Sequence, residues 1–89
     1  MKTALIVFSS SVSGSRLKYS AQKEKIYNIK ITQTPSDIKS NGCSYSLRIL
    51  VSDLDKIINI AKRNNIPFSG VYKERYDSNG HIFYERIYS

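Results

Sequence analysis

The chain has 89 residues, a length that suits one domain, spanning residues 1–89, built around a single thin core. Its 14 Lys and Arg against 7 Asp and Glu give a formal net charge of +7, which favours an anionic partner without specifying one. The longest uncharged apolar run, residues 4–8, is too short for a membrane span or a secretory signal, so we expect a soluble, cytoplasmic protein that does not engage a membrane.

Cysteine and histidine each occur once, as Cys43 and His81. One cysteine cannot form an internal disulfide, which suits a reducing compartment. One Cys and one His offer no metal-site spacing, so we expect no metal and no cofactor. No pair of acids and no nucleophile with a neighbouring base stands out, so we expect a protein that is not an enzyme.

Hydrophobic periodicity predicts seven elements in chain order. The first strand is an unbroken apolar run, and the second and third alternate apolar with polar residues. The second helix carries an apolar stripe at i, i+3, i+4 and i+7, with Ser52 as its predicted cap. The predicted elements are strand 2–8, helix 13–25, strand 26–32, strand 44–51, helix 53–63, and strands 68–76 and 81–88.

This order, β-α-β-β-α-β plus one more strand, predicts a ferredoxin-like α+β sandwich whose extra C-terminal strand forms a hairpin with the fourth. The turn Asp77-Ser78-Asn79-Gly80 suits a type I turn followed by a glycine bulge. That loop places Lys73 opposite Glu85 and Val71 opposite Ile87. A two-residue loop would instead place Glu74 opposite Glu85, and opposed like charges are unfavourable.

Two helices can cover only one face of such a sheet, and the alternation predicts which residues lie on the other. We call this the open face. Rings and cations there suit self-association or single-stranded nucleic acid, and a plain solvated surface is the third possibility. Its predicted residues are Asn28, Lys30, Thr32, Ser46, Arg48, Leu50, Tyr72, Tyr76, Ile82, Tyr84, Arg86 and Tyr88, of which Tyr72, Tyr76, Tyr84, Arg86 and Tyr88 form the candidate interface or ligand face.

Cys43 follows a predicted tight turn that ends in Gly42, where an exposed thiol is expected. Lys39 and Arg48 are close to it in sequence, and neighbouring cations lower the pKa of a thiol. Such a thiolate could act as a nucleophile or carry sulfur or selenium. The alternative is a small buried residue at the start of a strand.

The chain also resembles a family of short bacterial proteins described as selenium/sulfur carrier-like. The shared features are the opening strand followed by serines, Thr34-Pro35, Cys43 five residues before Arg48, the helix that begins near Asp53-Leu54, and Asn65-Ile66-Pro67. Pro35 matches the proline of the family's cysteine loop, and we expect Pro35 and Gly42 to shape this loop here. The chain departs from the family at Ser36, where arginine is typical, and at Ser44, where glycine is typical.

The resemblance implies a non-enzymatic carrier or accessory protein in which Cys43 holds sulfur or selenium and passes it to a protein partner. Lys39 and Arg48 would support the thiolate. The alternative function is a binding module that uses the open face for self-association or, less favoured, for single-stranded nucleic acid.

Overall fold

The computed structural model describes residues 2–8, 10–35, 38 and 45–88, and for Tyr88 the backbone alone. Within these residues, five strands and two helices follow one another in the predicted order, with a short 3-10 turn, Val51–Asp53, ahead of the second helix. The elements are β1 (Thr3–Phe8), α1 (Ser11–Lys23), β2 (Ile29–Gln33), β3 (Tyr45–Leu50), α2 (Leu54–Arg63), β4 (Gly70–Tyr76) and β5 (Ile82–Tyr88).

The strands form one sheet in the spatial order β2-β3-β1-β4-β5, and every neighbouring pair is antiparallel. The predicted α+β class is therefore confirmed, with β1 at the centre of the sheet and β5 added beyond β4. Among the described residues, no helix has the length and apolar character needed to cross a membrane.

The hydrophobic core lies between the helices and one face of the sheet. Alternate residues of β1, namely Ala4, Ile6 and Phe8, are fully buried there. The predicted apolar stripe of α2 packs against them, and fully burying each of its larger side chains contributes roughly 1.5–3 kcal/mol. The stripe consists of Leu54, Ile57, Ile58 and Ala61.

The first helix begins at Ser11, two residues earlier than predicted, because Ser10 is its N-cap. The Ser10 hydroxyl accepts a hydrogen bond of 3.2 Å from the backbone N–H of Val12. The second strand begins at Ile29, three residues later than predicted. Tyr27, predicted on the buried face, is 67% exposed since it lies before the strand.

The predicted capping of α2 by Ser52 is wrong. The chain enters α2 through the 3-10 turn that contains Ser52, and Asp53 is the N-cap. Asp53 has helical dihedral angles (φ −97°, ψ −4°), and its side chain makes no capping hydrogen bond. A capping residue usually has an extended backbone, from which its side chain turns back onto the first N–H groups of the helix. Asp53 has a helical backbone instead, so it does not cap α2 in this way. The helix ends as predicted, with Asn65 left-handed at φ 53°.

The hairpin of β4 and β5 has the predicted turn. The Gly80 N–H donates to the Asp77 carbonyl at 3.1 Å, and Gly80 has φ +82°. Lys73 lies opposite Glu85, as predicted, but Val71 lies opposite Tyr88 and not Ile87. The register shifts by one residue between Val71 and Tyr72, at a β-bulge. The predicted pairing of Val71 with Ile87 is therefore wrong.

Candidate functional site

Three residues of the predicted thiol site, Lys39, Gly42 and Cys43, lie outside the described residues. The exposure of the thiol and its surrounding charge therefore stay predictions. Pro35 and Arg48 are described, and so are the two strand ends that flank the segment. The described part of the candidate site therefore consists of those flanking residues.

The flanking ends are held together by a backbone pair and a side-chain hydrogen bond. Gln33 of β2 lies opposite Tyr45 of β3. Just beyond, the hydroxyls of Thr34 and Ser46 share a buried hydrogen bond of 2.7 Å. The Pro35 carbonyl then accepts a hydrogen bond of 3.0 Å from the Ile38 N–H. Both ends of the segment that contains Cys43 are thus fixed to the sheet.

The N-terminus of α1 lies beside the same end of β3. Ser11, Gly14 and Ser15 of α1 line a crevice of about 80 Å³, together with Tyr45 and its strand neighbours. Unpaired N–H groups give a helix N-terminus a partial positive charge of roughly half a unit, which stabilises nearby anions. The sequence does not predict this site, because the closeness of the helix end to Tyr45 is a tertiary contact.

Arg48 makes a two-bonded ion pair with Glu74 on the open face. Its Nε and Nη2 lie 2.8 and 3.2 Å from the two carboxylate oxygens of Glu74. The Glu74 side chain is only 3% exposed and also accepts a 2.7 Å hydrogen bond from the Thr3 hydroxyl. The hydrogen bond to Glu74 raises the pKa of Arg48 against the opposing effect of burial.

This ion pair spans the central strand. Leu5 of β1 lies opposite Arg48 on one side and opposite Tyr72 on the other. It is fully buried, although it lies outside the main core cluster. The open face therefore has a small packed region of its own. The predicted role of Arg48 beside Cys43 stays a prediction, while its observed partner is Glu74.

The tyrosines of the candidate interface lie on β4 and β5, next to this ion pair in the sheet. Tyr72 and Tyr76 flank Glu74 along β4, and Tyr84 of β5 lies directly opposite Glu74. The Arg86 guanidinium lies 5.6 Å from the centre of the Tyr72 ring and donates to the Ser69 carbonyl at 3.2 Å. Tyr76 is 68% exposed, and the Tyr88 side chain lies outside the described part. Both arginines of this face thus have partners within the sheet.

The Arg48–Glu74 pair is not predicted by the sequence. The two residues are 26 positions apart and lie on strands separated by β1. The signal was present in the alternation, which places Glu74 between Tyr72 and Tyr76 on the open face. Within the described residues, no cluster of three or more Cys, His, Asp or Glu could hold a metal ion.

The family model described as "Putative Se/S carrier protein-like" matches residues 3–73, from the first residue of β1 to the middle of β4. The matched range includes Cys43 and both flanking strand ends, and it excludes β5. No curated protein matches the chain.

Proposed function

The chain belongs to the Se/S carrier-like family, and on that premise we propose that it is a non-enzymatic carrier whose Cys43 thiol holds sulfur or selenium. The observation that carries the proposal is the family match, which spans Cys43 and the fold around it. The fixed strand ends and the nearby N-terminus of α1 support it. Cys43 is two residues before Tyr45 in the sequence, and Tyr45 lines the crevice beside that helix end.

The transfer we propose is a thiol exchange without net oxidation or reduction. The Cys43 thiolate attacks the outer sulfur of a persulfide R–S–SH on a donor protein. A new S–S bond forms on Cys43, the donor S–S bond breaks, and the donor thiolate R–S⁻ leaves. An acceptor thiolate then attacks the outer atom on Cys43 and restores the Cys43 thiolate. Selenium in the outer position follows the same balance.

The pH dependence of Cys43 alkylation tests the thiol directly. We expect the native protein to react with iodoacetamide with an apparent pKa below the roughly 8.5 of a free thiol, and the urea-unfolded chain to react with the ordinary value. The Cys43→Ser variant controls for other nucleophiles. A native thiol that reacts only after unfolding would contradict the carrier proposal.

The two predicted supporting cations can be separated by variants. Because Arg48 is held by Glu74, we expect Lys39→Gln to raise the apparent thiol pKa more than Arg48→Gln does. Lys62→Gln, an exposed lysine at the end of α2, controls for the loss of one positive charge. Equal effects of all three variants would show that net charge acts on the thiol without specific placement.

Loading with a persulfide donor then tests the cargo. We expect intact-protein mass spectrometry to show one added sulfur atom on the native chain and none on Cys43→Ser. A second thiol protein, added in excess, should remove that atom. Alkylation without any sulfur transfer would leave a reactive thiol and overturn the carrier role.

A further inference from the structure

A cavity of about 590 Å³ lies at the end of the sheet where β1 begins and β4 ends. It joins two parts of the chain. Thr3, Val51 and Lys73 belong to the range matched by the family model, whereas Tyr76 and Phe83 belong to the hairpin beyond it. Phe83 of β5 therefore adds to a cavity whose other lining residues come from β4, the 3-10 turn and the start of β1, and the volume of the cavity is within the usual range of ligand sites.

The wall of the cavity combines exposed aromatic residues with two lysines and with Arg75, which is paired with Glu85. Phe83 is 46% exposed and Tyr76 is 68% exposed, and Val51 adds an aliphatic surface. Lys2 and Lys73 also line it, and no ion pair within the described part of the chain engages either lysine.

The lack of a partner for Lys73 has a local cause. Its cross-strand neighbour is Glu85, but Glu85 is already bound by Arg75, whose Nε and Nη2 lie 2.9 and 2.8 Å from one carboxylate oxygen. Glu74, the other acid at the cavity, is almost completely buried and is occupied by Arg48 and Thr3. Glu74, which lines the cavity, and Glu85, the neighbour of Lys73, are thus already paired. Lys2 and Lys73 are left to attract an external anion.

We propose that this cavity is the docking site for an acidic partner protein, which inserts an apolar side chain flanked by carboxylates. Exposed aromatic rings bind an apolar anchor, and cations at the rim select carboxylates beside it. A second copy of this chain fits less well, because each copy carries a net charge of +7 and would repel the other. A nucleic acid strand would need cations spaced along its phosphates, and here two lysines border an apolar surface.

The position of the cavity suits a docking role that is separate from transfer. Val51 follows β3 directly, and Tyr45 begins it, so the cavity lies about 20 Å from the strand end next to Cys43. A partner anchored there would leave the proposed thiol end of the sheet uncovered. The inference does not rest on the chemistry of Cys43 and can succeed or fail independently of it.

Binding of a short peptide to the full chain tests the proposal. The probe is the N-acetylated, C-amidated tetrapeptide Asp-Phe-Leu-Asp. Its binding is measured by changes in the amide NMR chemical shifts of the protein. We expect the largest shifts at Thr3, Val51, Lys73 and Phe83. Two matched peptides, Asn-Phe-Leu-Asn and Asp-Ser-Ser-Asp, remove the charges and the apolar anchor in turn, and each should bind at least about fivefold more weakly.

Paired variants separate the local site from overall charge. We expect the Lys2→Gln, Lys73→Gln double variant to raise the Kd at least about fivefold, and the Lys56→Gln, Lys62→Gln double variant on α2 to leave it nearly unchanged. Phe83→Ala should weaken binding, while Tyr19→Ala, an exposed aromatic on α1, should not.

Three results would overturn the proposal: no shifts at millimolar peptide, shifts confined to another surface, or equal binding of the uncharged peptide. If single-stranded oligodeoxythymidine shifts the cavity residues and the acidic peptide does not, the cavity binds nucleic acid instead. The peptide comparison uses the unaltered protein, so it remains decisive even if a variant folds poorly.

Discussion

Arg48 and Glu74 show how one ion pair can organise a sheet face that no helix covers. Glu74 is nearly buried, whereas the Arg48 side chain is 38% exposed and keeps part of its hydration. Removing one partner of such a pair leaves the other without its charge-assisted hydrogen bonds, which costs more than the pair itself contributes.

We expect Glu74→Gln to lower the free energy of unfolding by about 1–3 kcal/mol in urea titrations. The matched control is Glu24→Gln, which breaks the exposed pair of Glu24 with Arg63 and should cost less than about 1 kcal/mol. Equal losses in the two variants would show that the open-face pair behaves as an ordinary surface pair.

The sign of the pH dependence follows from the raised pKa of Arg48. A group whose pKa is raised on folding stabilises the fold below its unfolded pKa, and that stabilisation is lost only as the pH rises through the folded value. For an arginine both values lie far above neutrality. We therefore expect the contribution of Arg48 ionisation to the free energy of unfolding to be constant across the neutral pH range. A loss of the Arg48–Glu74 stabilisation within that range would have another cause.

The hydroxyl pair of Thr34 and Ser46 is a second residue-scale feature, because both side chains are buried. We expect Ser46→Ala to cost about 1–3 kcal/mol, since it leaves the Thr34 hydroxyl without its partner. The double variant Thr34→Val, Ser46→Ala removes both polar groups and should recover part of that loss. Urea midpoints of the three proteins give the comparison, and a double variant less stable than either single one would contradict it.

At the scale of elements, the hairpin depends on one backbone conformation. Gly80 has φ +82°, and a Cβ added there would meet no other atom within 4 Å. Gly80→Ala should therefore cost about 1 kcal/mol through backbone strain alone, measured by thermal or urea unfolding. Ser78→Ala in the same turn is the control. A loss much larger than this would mean that the substitution also changes the register of β5.

The elements also show where sequence periodicity stops being informative. The stripe of α2 specified both the existence of the helix and its buried face, because four apolar residues at helical spacing can share only one side. The way in which α2 begins was not specified by the sequence, since Ser52 and Asp53 suit either an N-cap or a 3-10 turn. The β-bulge next to Val71 was not predictable either. The alternation of apolar and polar residues within a strand does not show where its pairing with the next strand shifts by one residue.

At the scale of the whole molecule, the net charge of +7 separates the alternative binding functions by the sign of their salt dependence. We expect self-association through the open face to strengthen as salt rises, because salt screens the repulsion between copies. Binding to single-stranded nucleic acid should weaken, because fewer counterions are released. Sedimentation velocity at low and moderate salt, with and without oligodeoxythymidine, measures both.

The tyrosines of the open face give that experiment its control. If copies associate through this face, Tyr72→Ala or Tyr84→Ala should reduce the dimer, whereas Tyr19→Ala on α1 should not. A protein that remains monomeric under every condition would remove self-association from the alternatives. It would leave the docking cavity as the surface to examine for a partner.

The sequence by itself determined the order of elements, the class of the fold, the core residues of α2 and the hairpin turn, because local periodicity and turn chemistry act within a few residues. It also predicts Cys43 as the site residue from a linear motif, and that stays a prediction. Only the tertiary structure decided that Arg48 binds Glu74 across β1, that the N-terminus of α1 lies beside Tyr45, and that β5 adds Phe83 to a cavity with unpaired lysines. Each of these depends on which strands become neighbours, and that is fixed by burial of the whole chain rather than by any one segment.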